Sequence, residues 1–141
     1  MERPEWLSIL ARAPHARLVA LAAPFARAAE VLRAPETGTV MLRGRAGGTG
    51  APFNLGEMTV TRASLRIGEA VGHGHVQGRA KEAARAAALI DALMQGPEAG
   101  RIEAEVLRPI LAEREAAART RAAKAAATKV DFFTLVRGED A

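Results

Sequence analysis

The fold depends on residues 33–66, RAPETGTVMLRGRAGGTGAPFNLGEMTVTRASLR. The glycine cluster Gly47, Gly48 and Gly50, with Thr49 inside it, separates two segments that predict β-strands. Val40 and Leu42 before the cluster are two residues apart, and so are Met58 and Val60 after it, which is the two-residue period of half-buried strands. A short glycine-rich connection joins such strands in antiparallel fashion. This stretch therefore predicts a β-hairpin, and residues 38–77 as a whole predict a strand meander.

Helical patterns flank the meander on both sides. Residues 1–32 predict an N-terminal helical segment, in which Pro14 ends a first helix and Pro24 interrupts a second. After the meander, apolar residues return to helical spacing over residues 79–95, and Gly96-Pro97 ends that helix.

Residues 101–137 predict a strand, an alanine-rich helix and an extended C-terminal tail. Ile102, Ala104 and Val106 alternate with glutamates, which favours a strand. Alanine has high helix propensity and little side chain to bury, so we expect the helix on the outside. The whole chain, residues 1–141, is predicted to be one α+β domain. Its core is an antiparallel sheet of four to five strands with helices packed on one face.

The composition excludes several classes of function. Cysteine is absent, so there is no disulfide framework, thiol nucleophile or cysteine-ligated cluster in these residues. The charged N-terminus lacks the apolar core of a signal peptide, and no apolar run approaches the ~18 residues of a membrane span. We therefore expect a cytoplasmic protein without membrane contact.

The chain is basic, with 20 Lys and Arg against 16 Asp and Glu and a net charge of +4. Arginine supplies most of these cations, and its planar fork binds phosphate and carboxylate in two-point fashion. A partner with negative charge is one interpretation, and a genome rich in G and C, which also raises arginine and alanine content, is the other. Aromatic residues make up only 4%, which argues against base stacking and hence against nucleic acid.

Two places in the sequence have the chemistry of an anion site. Residues 47–50 could present consecutive backbone N–H groups to a phosphate or phosphonate, with Arg62 among the surrounding cations. Arg79 stands at the start of a predicted helix, where the helix dipole favours anions. A flexible hairpin turn and a plain helix cap are the alternatives to these two sites.

Three further residues could carry chemistry but form no complete set. His73 and His75 lie two apart on one predicted strand, yet no cysteine or nearby carboxylate completes a ligand set, so no metal site is predicted. Asp91 lies in an otherwise apolar helix and needs an arginine or backbone donors there. A structural ion pair, an interface contact and a general base remain open for it. No triad or carboxylate pair can be assembled, so no catalytic residue is predicted.

The stretch of residues 33–66, together with Ala88–Gln95 and the tail Val130–Gly138, resembles the PhnG family, whose members belong to the bacterial carbon–phosphorus lyase core complex. The resemblance covers nearly the whole chain and is weakest in its first thirty residues. One departure lies at Ala80, where that family is expected to have an acid after Gly78-Arg79.

The resemblance implies a role in organic phosphonate catabolism. It implies an accessory subunit, without catalytic residues of its own, that assembles with the H, I and J subunits of the core complex and works with an ATPase-like L subunit. The complex would let a phosphonate displace adenine from MgATP and form ribose 1-phosphonate 5-triphosphate. The iron–sulfur cluster and S-adenosylmethionine would be held in a partner subunit, and no cofactor is expected in this chain.

The resemblance also implies which residues matter. Substrate or anion contacts would fall on Gly47, Gly48, Thr49, Gly50, Arg62 and Arg79. Partner contacts would fall on Arg33, Glu36, Phe53, Asp91, Phe132, Phe133 and Arg137. The alternative from another class is a free-standing basic module that binds nucleic acid in a salt-sensitive manner.

Overall fold

The computed structural model describes residues 1–139 and the side chains of residues 1–129. The chain divides into two compact units after Ile110. The first unit contains a three-stranded sheet and the helices around it, and the described part of the second unit is helical from Leu111 to Glu139. Among the residues described, no helix combines the length and the apolar character that a membrane span requires.

The helices and strands follow one another in the order that the sequence predicts up to residue 96. They are α1 (Arg3–Arg12), α2 (His15–Ala22), β1 (Glu30–Arg45), β2 (Pro52–Ile67), β3 (Ala70–Gln77), α3 (Lys81–Met94), α4 (Ala99–Ile102) and α5 (Arg108–Glu139). Short 3₁₀ turns follow α2 and β1, and a π-helical turn, Glu103–Leu107, links α4 to α5.

The first helix begins and ends where local chemistry dictates. Glu2 and Glu5 form a reciprocal capping box that satisfies free N–H groups of the first turn. A proline is also present in this turn, where the missing N–H costs nothing. The helix ends at Arg12, ahead of Pro14, since the residue before a proline is pushed out of the helical region. It buries Trp6, Ile9 and Leu10.

The sheet is an antiparallel meander in the order β1-β2-β3. Every residue from Val60 to Ile67 of β2 pairs with a residue of β3 without a register shift. The pairing of β1 with β2 is irregular at two places between Val31 and Glu36. Pro35 lies in this stretch, and a proline cannot donate a ladder hydrogen bond, so the extra residues of β1 loop out there.

One face of the sheet lies against α3 at very short range. Gly72 and Gly74 of β3 are buried there, and a Cβ at either position would overlap the backbone of α3 at Ala88 or Ala84. Only glycine, which has no Cβ, permits this distance on the strand. The helices α1 and α2 pack beside α3, and they complete a core that includes Leu10, Leu18, Phe25, Ile90, Ile102 and Val106.

The predicted number of strands and the predicted strand from Ile102 are wrong. Within residues 1–139 the sheet has three strands, not four to five. The strand predicted from Ile102 is helical, because Ile102, Val106 and Ile110 are four residues apart and are all buried on one side of the chain. The apolar residues that alternate with glutamates in this segment also fit the four-residue spacing of a helix, so the sequence pattern is compatible with both structures.

The start of the first strand and the structure of the tail also differ from the prediction. Residues 30–32 belong to β1 and not to the N-terminal helices, since Glu30 and Val31 pair with Arg66 and Leu65 of β2. The tail predicted as extended continues α5 to Glu139. A helix that already exists grows by one hydrogen bond for each residue added, so the alanine-rich segment extends through residues of lower helix propensity.

Replacing Gly74 by alanine tests the close contact between β3 and α3. The added Cβ would overlap the carbonyl oxygen of Ala84, so we expect the free energy of unfolding to fall by about 3 kcal/mol. Gly38→Ala is the matched control, because no described atom beyond its chain neighbours lies within 4 Å of a Cβ at Gly38. Urea unfolding of the isolated chain measures both. Equal stability of the two variants would contradict the packing described.

Candidate interaction surface

The hairpin of β1 and β2 extends well beyond the third strand. The ladder between β2 and β3 stops at Val60, whereas β1 and β2 continue to pair out to Arg45 and Pro52. We call residues 38–59 the arm. At about 3.3 Å per residue, the arm projects roughly 25 Å past the sheet. It is a two-stranded ribbon with no third strand beside it in the part of the chain that the structure describes.

The arm carries most of the exposed large apolar side chains found within residues 1–129. Their exposed fractions lie between 39% and 62%, and they are Val40, Met41, Leu42, Phe53 and Leu55. The remaining two, Val31 and Leu32, are at the beginning of β1. A surface residue of this type is ordinary when it is alone, but five on one hairpin are a concentration of exposed apolar surface.

The register places four of these five on the same face. Val40 pairs with Met58 and Leu42 pairs with Gly56, so these positions share a face. Next to them Gly44 pairs with Phe53. The unpaired Leu55 forms a bulge, and its side chain would contact a Cβ at Gly44. Met41 lies on the opposite face, because successive residues of a strand alternate.

This apolar face continues the side of the sheet that turns away from α3. We call that side the open face. Thr61 of β2 is buried on the helix side, so Val40, Leu42 and Met58 point the other way. A two-stranded hairpin is marginally stable in water by itself. An arm that also exposes apolar side chains is therefore expected to pack against another protein.

The base of the open face is charged instead of apolar. Arg33 and Arg62 both donate to one oxygen of Glu36, and Arg66 pairs with Glu30 at 3.1 Å. All of these side chains are about half exposed. Exposed ion pairs of this kind contribute little to stability.

Two histidines of β3 complete this charged base. His75 pairs with Arg62, and His73 pairs with Ser64, whose hydroxyl lies 2.8 Å from its ring Nδ1. Partial burial lowers the pKa of His75 below its ordinary 6.5, and the nearby charges of His73, Arg62 and Arg33 lower this pKa further. The hydrogen bonds from Arg33 and Arg62 lower the pKa of Glu36. The base of the open face therefore favours negative charge and disfavours additional positive charge.

The glycine cluster lies at the tip of the arm. Gly47 and Gly48 have positive φ angles of 61° and 80°, which close the hairpin. Arg45 donates to the Gly50 carbonyl at 3.3 Å. Arg62 stands ten residues along β2 from Pro52, or about 30 Å at the rise of a strand. The structure therefore does not bring the cluster and Arg62 together, and an anion site at either place stays a prediction.

Arg79 lies elsewhere, at the exposed start of α3. The cap residue of that helix, Ala80, has no side-chain cap. Its N–H donates to the buried hydroxyl of Thr61 at 3.1 Å, and this hydroxyl in turn donates to the Gly78 carbonyl at 2.7 Å. The turn before α3 is thus held by the sheet.

Asp91 accepts four hydrogen bonds in the interior of the first unit. Its side chain is fully buried, and all its donors come from this chain. Arg3 donates to both carboxylate oxygens at 3.1 and 2.7 Å, the Trp6 indole donates at 2.8 Å, and the backbone N–H of His73 donates at 2.9 Å. The structural ion pair is the alternative that the geometry supports. The Asp91 side chain is fully buried in this chain, so a direct contact with a partner at this residue stays an untested prediction.

The other predicted contact residues are divided between the two ends of the open face. Arg33 and Glu36 are at its charged base, and Phe53 is on the arm. Phe132, Phe133 and Arg137 lie outside the residues whose side chains the structure describes. Within the described residues, no group of three or more histidines and carboxylates gathers at a point where it could hold a metal ion.

Sequence reasoning missed the apolar side of the arm and the partners of Asp91. Val40 and Leu42 fit the alternation of an ordinary strand, whose apolar side is expected to be buried. The signal that could have found them is length, because the hairpin segments are longer than the strand that follows. Arg3 and Trp6 are 88 and 85 residues from Asp91, and no local pattern connects them.

Comparisons with known proteins bear on this geometry. A family model described as phosphonate metabolism protein PhnG matches residues 1–138. A protein of Rhizobium meliloti (strain 1021) is 54% identical over 112 residues, which are 77% of this chain and 70% of that protein. It is named alpha-D-ribose 1-methylphosphonate 5-triphosphate synthase subunit PhnG.

Removing the Asp91 carboxylate should destabilise the isolated chain. In Asp91→Ala, the Trp6 indole and the His73 N–H lose their acceptor in the interior, so we expect a loss of about 3 kcal/mol in the free energy of unfolding. Arg66→Ala, which removes a half-exposed ion pair, serves as the control and should change stability little. Urea unfolding measures both, and an unchanged Asp91→Ala protein would refute the structural role.

The lowered pKa of His75 predicts a pH dependence of stability. Since the unfolded chain binds a proton more readily at this position, the free energy of unfolding falls as the pH drops below 6.5. His75→Gln lacks this contribution. The loss of stability between about pH 7.5 and about pH 5.5 should therefore be smaller in the variant, as measured by urea unfolding. An identical loss in both proteins would contradict the shift.

Proposed function

Because the chain belongs to the phosphonate metabolism protein PhnG family, we propose that it is an accessory subunit of a multi-subunit machine for organic phosphonate catabolism. The relative from Rhizobium meliloti is named as a subunit of a ribose 1-methylphosphonate 5-triphosphate synthase. The corresponding reaction of the whole machine is displacement of adenine from MgATP by a phosphonate at the ribose C1 carbon.

The observation that carries this proposal is the arm. Its apolar side chains are exposed in the isolated chain, and a protein that functions by assembly needs such a surface. The partners that we propose are the H, I and J subunits of the carbon–phosphorus lyase core complex and the ATPase-like L subunit. Catalytic residues, the iron–sulfur cluster and S-adenosylmethionine are assigned to these partners, which leaves this chain a supporting role in the cytoplasm.

The geometry within the chain supports a scaffold more than a catalyst. The buried carboxylate of Asp91 is fully used by four donor contacts, so it has no free lone pair directed at a substrate. Two arginines at the base of the open face, Arg33 and Arg62, are engaged with Glu36. A supporting subunit would place such groups against a neighbour.

Reconstitution tests the proposal. The tagged chain is expressed together with the H, I, J and L subunits, and the purified material is analysed by mass spectrometry. We expect recovery of this chain in equal amounts with the H, I and J subunits. We also expect release of adenine from MgATP and methylphosphonate only when this chain is present together with its partners.

Two controls make the result decisive. The isolated chain should release no adenine, and the partner set without this chain should release far less than the complete set. Recovery of the chain alone, or with nucleic acid that nuclease treatment removes, would overturn the proposal. So would adenine release that does not depend on this chain.

A further inference from the structure

The open face is a single surface with two chemically different halves. Its apolar half is on the arm and consists of Val40, Leu42, Phe53, Leu55 and the half-buried Met58. Its charged half is at the base and consists of Arg33, Arg62, Arg66, His73 and His75, with Glu30 and Glu36. Both halves lie on the side of the sheet opposite α3, so one flat partner surface could contact them together.

The charged half has more cations than carboxylates. Two guanidinium groups share the single carboxylate of Glu36, and the third, of Arg66, pairs with Glu30. The positive excess lies at half-exposed positions, where a carboxylate from another protein can reach it. Such an arrangement selects for negative charge in whatever covers the base.

We propose that the open face docks one partner subunit that presents an apolar patch next to a patch rich in carboxylates. The apolar patch packs against the arm, and the carboxylates meet Arg62 and Arg66 at the base. This inference rests on the proposed function, since it names the chemistry of a partner within the same machine.

Charge complementarity excludes a second copy of this chain as the occupant. In a twofold contact between open faces, the basic base of one copy would meet either the apolar arm or the basic base of the other. The first arrangement buries charge against apolar side chains, and the second juxtaposes like charges. Neither arrangement brings additional carboxylates to the arginines at the base.

A competition experiment tests the apolar half. Wild-type chain and a variant with a different tag are expressed together with the partner subunits, and their ratio in the assembled complex is measured. The Leu42→Gln/Leu55→Gln variant should be at least about tenfold under-represented, because it places amides against an apolar patch. Met41→Gln is the control, since the exposed fraction of Met41 lies between those of Leu42 and Leu55 and its side chain is on the opposite face of the same arm.

A second pair of variants tests the charged half. Arg62→Gln/Arg66→Gln should also be under-represented, and its deficit should shrink when assembly is measured at about 0.5 M salt instead of about 0.1 M. Arg12→Gln/Arg85→Gln removes the same charge from exposed positions on α1 and α3 and should compete equally with wild type.

Several outcomes would overturn the proposal. If Leu42→Gln/Leu55→Gln enters the complex as often as wild type, the apolar contact is excluded. If Met41→Gln is under-represented as strongly as Leu42→Gln/Leu55→Gln, the contact does not distinguish the two faces of the arm. Equal incorporation of the two arginine pairs would exclude the carboxylate patch. A dimer of the isolated wild-type chain by light scattering, lost in Leu42→Gln/Leu55→Gln, would establish a second copy as the occupant.

Failure of this inference differs from failure of the proposed function. If wild-type chain never enters a complex with the partner subunits, the subunit role itself is wrong. If wild type and all variants enter equally, the subunit role stands and only the docking surface is wrong. Thermal unfolding of each isolated variant shows whether it is folded, and these exposed positions should leave the unfolding temperature nearly unchanged.

Discussion

The contact between two glycines of β3 and the backbone of α3 governs how the first unit is packed. Gly72 and Gly74 face Ala84 and Ala88 so closely that no side chain fits between strand and helix. The helix therefore lies directly on the sheet and has almost no layer of side chains beneath it at this point. Leu89, Ile90, Leu93 and Met94 of the same helix are left to fill the core around the contact.

That short distance also determines where polar groups can be buried. Asp91 lies in the middle of α3. Its carboxylate can accept a hydrogen bond from the backbone N–H of His73 only because the helix lies this close to β3. The first helix then supplies Arg3 and Trp6, which satisfy the remaining lone pairs. A carboxylate in this position links one strand and two helices, and a buried charge is tolerated because every donor is in place.

The two sides of the sheet consequently have different roles. The helix side is filled with small and aliphatic residues, whereas the open face keeps apolar side chains on the arm and charges at the base. The arm itself receives little support from the rest of the first unit, because β3 ends opposite Val60. For a member of the phosphonate metabolism protein PhnG family, a core that is complete on one side and a long surface that is incomplete on the other suit assembly with other proteins.

Features that depend on neighbouring residues could be predicted from the amino-acid sequence, whereas features that depend on distant residues could not. The hairpin around Gly47 and Gly48 and the stop of α3 at Gly96-Pro97 follow from local turn chemistry and periodicity. The need of Asp91 for an arginine or backbone donors followed from the cost of burying a charge. Its actual partners, on α1 and β3, became visible only in the folded chain. The segment from Ile102 is helical because three side chains, each four residues from the next, are buried in the same core. The arm is exposed because the third strand is shorter than the other two. A local pattern shows which side of an element is apolar, but the packing of the whole chain determines what lies against that side, and here it leaves part of the surface uncovered.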